Sequence, residues 1–237
     1  MRALSSSDFL DLWERGIRLH PLDRGLLVLS AAFPDVPCER MADWPLGRRN
    51  GALARLGLSC FGPNPWAWTS CTQCGEKLEV DVDFRNLANG AMENGSGAGE
   101  TITVKGRSFR LPTSRDLALA ALETDARSAA IRLAETCALE PGDTRLWPDE
   151  DLEEVGEGMA LADPMAEVTF HFCCPACGNE GNADLDLASF IWEEFAARAR
   201  RLAVEIHRLA SAYGWTESEI LALSELRRAL YLDMVQA

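Results

Sequence analysis

The chain has 237 residues, 47% of them hydrophobic, and no apolar run near the roughly 18 residues that cross a bilayer, so a soluble globular protein without a membrane partner is expected. Its formal net charge of −14 opposes binding to phosphate backbones, so no nucleic-acid partner is expected. The segment Met1-Arg-Ala-Leu-Ser-Ser-Ser-Asp8 lacks the apolar core of a signal peptide, which, with eight cysteines, points to a cytoplasmic location.

Residues 1–60 read as a helical segment. Ser7-Asp8 starts a first helix with Phe9, Leu12 and Trp13 on one face. His20-Pro21 breaks it, and Pro21 suits the first turn of a second helix carrying Leu22, Leu26, Leu27 and Leu29. Pro34 and Pro37 end that one. A third helix follows Pro45 with Leu46, Leu53 and Leu56, and breaks at Gly57 and at Phe61-Gly-Pro-Asn-Pro65.

Residues 61–185 form the second region. Trp66-Ala-Trp-Thr-Ser70 precedes Cys71-Thr-Gln-Cys74-Gly75, and Leu78 to Phe84 then alternates apolar with acidic residues, the mark of a strand with one buried face. An insert occupies about 85–165. Asn86 to Glu100, rich in Gly, Asn, Ser and Ala, reads as a mobile loop. Thr101-Ile-Thr-Val104 and Arg107-Ser-Phe-Arg-Leu111 flank Lys105-Gly106 as a hairpin. Thr113 and Asp116 form a capping box for one helix running to about Leu139, where Glu140-Pro-Gly stops it. Much of the negative charge lies in 140–163, and Asp149-Glu-Asp-Leu-Glu-Glu154 reads as a solvated loop or, alternatively, a docking segment for a basic partner. Val168-Thr-Phe-His-Phe172 then alternates into Cys174-Pro-Ala-Cys177-Gly178, and Asn179 to Ala183 leads out.

The doubled C-x-x-C-G is the most specific signal. Each turn brings two thiolates to one ion, and the glycine accepts the backbone conformation that closes the turn. Cys71, Cys74, Cys174 and Cys177 are therefore the expected ligands of a tetrahedral Zn²⁺ site. Cys173 adjoins Cys174 and is the alternative ligand; Cys174 keeps the two-residue spacing. A thioredoxin-type motif would open a helix, whereas both pairs sit between β-like runs. Cys38, Cys60 and Cys137 lie in apolar surroundings and read as buried, inert thiols. Four cysteines close the metal shell, leaving no position for a reactive water. His20, His171 and His207 have no legible catalytic partners, so no catalytic residue is assigned and a non-enzymatic protein is expected.

Residues 186–237 read as a C-terminal helical arm. Leu187, Ile191, Phe195, Ala199, Leu202, Ile206, Leu209 and Tyr213 make one apolar stripe on a long helix that Gly214 ends. Thr216 to Glu219 is a second capping box, with Trp215 and Ile220 as its hydrophobic staple. Ser224 caps a last helix through Tyr231. A helix–turn–helix reading of 187–232 has only Arg227-Arg228 as a basic pair and is disfavoured. The expected architecture is α+β: a zinc-ribbon-like β core, N-terminal helices, a hairpin–helix insert and the arm.

The segment from Ile206 to Leu232 resembles the ending of a family of small zinc-knuckle proteins encoded with phage tails and phage-tail-like contractile injection systems. These are similar to T4-type baseplate and baseplate hub assembly proteins. His20-Pro-Leu-Asp-Arg24, Leu46-Gly-Arg-Arg49, Leu111-Pro-Thr-Ser-Arg-Asp-Leu117, Asp163-Pro-Met-Ala-Glu-Val168 and both cysteine pairs carry the resemblance across most of the chain. It implies an assembly chaperone or baseplate component whose partners are other tail or baseplate proteins. The alternatives are a zinc-ribbon transcription-type regulator, which needs a basic face, and a generic protein-interaction adaptor.

Overall fold

The computed structural model describes residues 1–93, 101–140 and 148–236 and has an α+β architecture. Four helices open the chain: α1 (Ser6–Gly16), α2 (Pro21–Ala32), α3 (Cys38–Ala42) and α4 (Leu46–Phe61). Ser5 caps α1, with Asp8 completing the box, so the helix starts just before the expected Ser7. Pro21 occupies the first turn of α2, as expected, and His20 Nδ1 accepts from the Leu22 amide. The expected break at Gly57 is not there. α4 continues to Phe61 and ends at Gly62, which has φ 86°. Gly57 serves close packing instead: a Cβ there would come within 2.6 Å of both Ile191 and Phe84.

The long helix α9 (Leu187–Tyr213) closes over these helices. Ile191, Trp192 and Phe195 bury with Phe9, Leu12, Val28, Leu29, Leu53 and Leu56 in the largest core. The Phe9 and Phe195 rings lie 4.8 Å apart. Each such side chain contributes about 1.5–3 kcal/mol on burial.

Two antiparallel hairpins carry the cysteine pairs. The first joins β1 (Trp66–Ser70) to β2 (Lys77–Asp81); the second joins β5 (Val168–Cys173) to β6 (Glu180–Leu185). After β2 the chain enters α5 (Phe84–Glu93). The loop expected over Asn86–Glu100 is thus a helix as far as Glu93; residues 94–100 lie outside the described residues. Asp83 explains its start, accepting from the Arg85 and Asn86 amides, while Phe84 and Ala88 bury against the main core.

The insert has its own core. The hairpin of β3 (Thr101–Val104) and β4 (Arg107–Arg110) turns at Lys105 and Gly106, both with positive φ, as a two-residue loop requires. The single helix expected from Thr113 to Leu139 is two: α6 (Ser114–Ala120) and α7 (Ala126–Cys137). Asp125 caps α7, its carboxylate accepting from the Ser128 amide, and this interrupts the run. The acidic stretch expected as a solvated loop is helix α8 (Asp149–Ala162). Its first-turn acids face the positive end of the helix dipole, while Val155 and Met159 bury with Val104, Phe109, Ala134 and Cys137. The expected stop at Glu140-Pro-Gly extends into 141–147, outside the described residues.

A buried polar joint fixes the insert to α4. The Leu46 amide donates to Pro112 O at 3.0 Å, and Asn50 Nδ2 donates to Met165 O and Ala166 O at 2.8 and 3.1 Å. Arg49 donates to Asn50 Oδ1 and to Ser114 Oγ.

α9 ends at Gly214, in the left-handed region as expected. α10 (Glu217–Ala222) carries the Thr216–Glu219 box, and α11 (Glu225–Gln236) runs beyond Tyr231. Ile220 is buried, and Arg228 is 1% exposed. The Arg228 guanidinium donates to Glu205 at 3.1 Å, to Leu223 O at 2.8 Å and to Ser6 Oγ at 3.1 Å. One half of the only basic pair on the last helix therefore faces inward. Among the described residues, no helix is long and apolar enough to cross a membrane.

Candidate metal centre

The two hairpins bring their tips together. Cys71 Sγ lies 3.7 Å from Cys177 Sγ, and Cys74 Sγ lies 3.6 Å from Cys174 Sγ. All four sulfurs lie within 4.8 Å of one another. A tetrahedron with metal–sulfur bonds of about 2.3 Å has edges of about 3.8 Å, so the sulfurs stand close to the spacing a bound ion would impose. The four cysteines can hold a metal ion.

The two knuckles have the same backbone wiring. The Cys71 amide donates to Glu76 O at 2.8 Å and the Gly75 amide to Cys71 O at 2.9 Å. In the second, the Cys174 amide donates to Asn179 O and the Gly178 amide to Cys174 O, both at 2.8 Å. Gly75 and Gly178 have φ of 75° and 73°, which explains the glycine after each pair. Cys71 and Cys174 are buried with Leu78 and Phe172; Cys74 and Cys177 are exposed. The site is therefore anchored on one side and reaches the surface on the other.

The sulfurs cannot all ionise unaided. Backbone amides, that of Cys74 above all, lower the Cys71 thiol to about 6. At Cys177 the Asn179 amide acts in the same direction, but burial and the three neighbouring thiols outweigh it and push the group up to about 12. At Cys74 the Glu76 amide and Cys177 act downward, but burial with Cys174 and Cys71 outweighs them and raises the thiol. A divalent cation would resolve the repulsion by neutralising thiolates that otherwise compete. Asn179 Nδ2 reaches Cys71 Sγ at 3.8 Å across the two knuckles, a link that sequence reasoning missed. Its position directly after the second C-x-x-C-G was the available signal.

Cys173, the alternative ligand, is exposed at the end of β5 and outside the cluster. Cys137 is buried, as expected, whereas Cys38 and Cys60 are only half-buried; burial raises Cys38 and takes Cys60 to about 11 and Cys137 to about 12. His171 and His207 are exposed. No family model matches the chain, and no curated protein or solved structure matches it.

Proposed function

We propose that this chain is a zinc-stabilised, non-enzymatic protein that helps to assemble, or forms part of, the baseplate of a phage tail or phage-tail-like contractile injection system. Zinc suits the four-sulfur tetrahedron; iron is the other common occupant of such a set. The ion would tie the β1–β2 and β5–β6 hairpins into a ribbon-like unit. Four thiolates fill the shell of a four-coordinate ion, so its role is to hold the fold rather than to activate water.

The observation that carries the reading is the C-terminal end. There α11 leaves Leu226, Leu230 and Met234 exposed at helical spacing, within a segment that resembles the ending of the zinc-knuckle family. Their exposures are 82%, 54% and 59%, while Ile220 and Arg228 hold the same region to α9. An apolar stripe on a firmly seated helix suits a protein partner. The regulator alternative needs a basic face, and burial of Arg228 weakens it further.

The test is the triple variant Leu226→Ser, Leu230→Ser, Met234→Ser. Metal content and solubility are expected to be unchanged. Recovery with tail or baseplate components, and the yield of assembled particles, are expected to fall. Normal particle assembly without the protein would refute the assembly role.

A further inference from the structure

The β1–β2 hairpin has a second exposed surface. Residues paired across an antiparallel ladder share a face, so Trp66 stands beside Asp81 and Trp68 beside Glu79. Ala67 and Leu78, on the other face, are buried. Trp66 is 54% exposed and Trp68 66%, so the core does not hold them. Both carboxylate residues are exposed too, and neither forms an ion pair among the described residues. Lys77 pairs with Ser70 beyond both tryptophans and leaves the acidic pair uncovered.

This combination selects its partner. Adjacent exposed tryptophans are favoured interface anchors. Stacked nucleic-acid bases would bring phosphates against two carboxylates on a chain of net charge −14, which disfavours them. An arginine satisfies both features, because its guanidinium lies over an indole face and forks onto a carboxylate. We propose that Trp66, Trp68, Glu79 and Asp81 form a docking face for a basic, arginine-bearing segment of a partner protein. The inference is independent of the C-terminal stripe and of the baseplate reading.

The probe is a labelled short peptide of alternating Arg and Ser, titrated at low salt and followed by fluorescence anisotropy. The Trp68→Ala variant and the Glu79→Lys, Asp81→Lys double variant are each expected to bind about tenfold more weakly than the unmodified protein. Trp68→Phe is expected to fall between Trp68→Ala and the unmodified protein. Glu153→Lys, Glu157→Lys on α8 changes net charge equally and is expected to leave binding within about twofold. All these side chains are exposed, and metal content checks that each variant is folded. Absence of binding overturns the proposal. So does equal loss with the α8 pair, or indifference to Trp68→Ala.

Discussion

The Gly47 amide donates to the carboxylate of Asp163 at 2.8 Å, across 116 residues of chain. Asp163 is fully buried and supplies the cap that Pro45 cannot give to the N-terminus of α4. A Cβ at position 47 would fall 1.7 Å from Asp163 Oδ1. Glycine is therefore required for contact between α4 and the segment that leads into β5. Gly47→Ala is expected to destabilise the protein by about 2 kcal/mol or more, and Asp163→Asn by about 1–2 kcal/mol, in urea denaturation. Neutral behaviour of Gly47→Ala would show that the joint yields freely.

The Asp116 carboxylate gives the fold a defined acid response. Burial alone would raise it, but the Arg110 fork, with two bonds of 2.7 Å, and the Thr113 hydroxyl and amide lower it to about 2. A group depressed in the folded state stabilises it above the unfolded value of 3.8 and loses that contribution as pH falls through about 2. Asp116→Asn is expected to be less stable at neutral pH by about 2 kcal/mol. Its difference from the unmodified protein should close between about pH 4 and pH 2. A difference that stays constant across that window would assign the loss to packing instead.

Arg227 and Arg228 are neighbours with opposite fates. Arg227 is exposed, whereas Arg228 is buried against Glu205, Leu223 O and Ser6. Arg228→Ala leaves Glu205 without its partner and opens the seat of α11, at an expected cost of about 3 kcal/mol. Arg227→Ala should stay within about 0.5 kcal/mol of the parent protein. Thermal denaturation distinguishes them, and equal effects would contradict the seating of α11.

Spacing made the cysteine pairs legible, and local chemistry did the same for the turn at Lys105-Gly106 and the boxes at Thr113 and Thr216. What was hidden depends on distant partners. The acids of α8 are largely exposed, as expected, but the stretch read as a loop because nothing local shows that Val155 and Met159 meet Phe109. The Gly- and Asn-rich stretch that starts within α5 obscured the burial of Phe84 and Ala88, and Gly57 read as a breaker because Ile191 lies far along the chain. Segments far apart in the chain, at Leu46, Leu111 and Asp163, converge on the joint at α4, a proximity that no local pattern shows. The diagonal pairing of Cys71 with Cys177, and of Cys74 with Cys174, likewise appears only in three dimensions.

The exposed cysteine beside the cluster offers a control on ligand identity. Cys173→Ser and Cys38→Ser are expected to retain the metal and the stability of the parent protein. Cys174→Ser is expected to lose metal and to unfold more readily, because binding and folding are coupled. Metal loss in Cys173→Ser with retention in Cys174→Ser would exchange the two assignments.

Elemental analysis of the purified protein, alongside the Cys71→Ser, Cys174→Ser double variant, reads the metal itself. One zinc per chain is expected in the parent protein and none in the variant. No metal in the parent, iron in place of zinc, or full zinc retention in the variant would contradict that expectation.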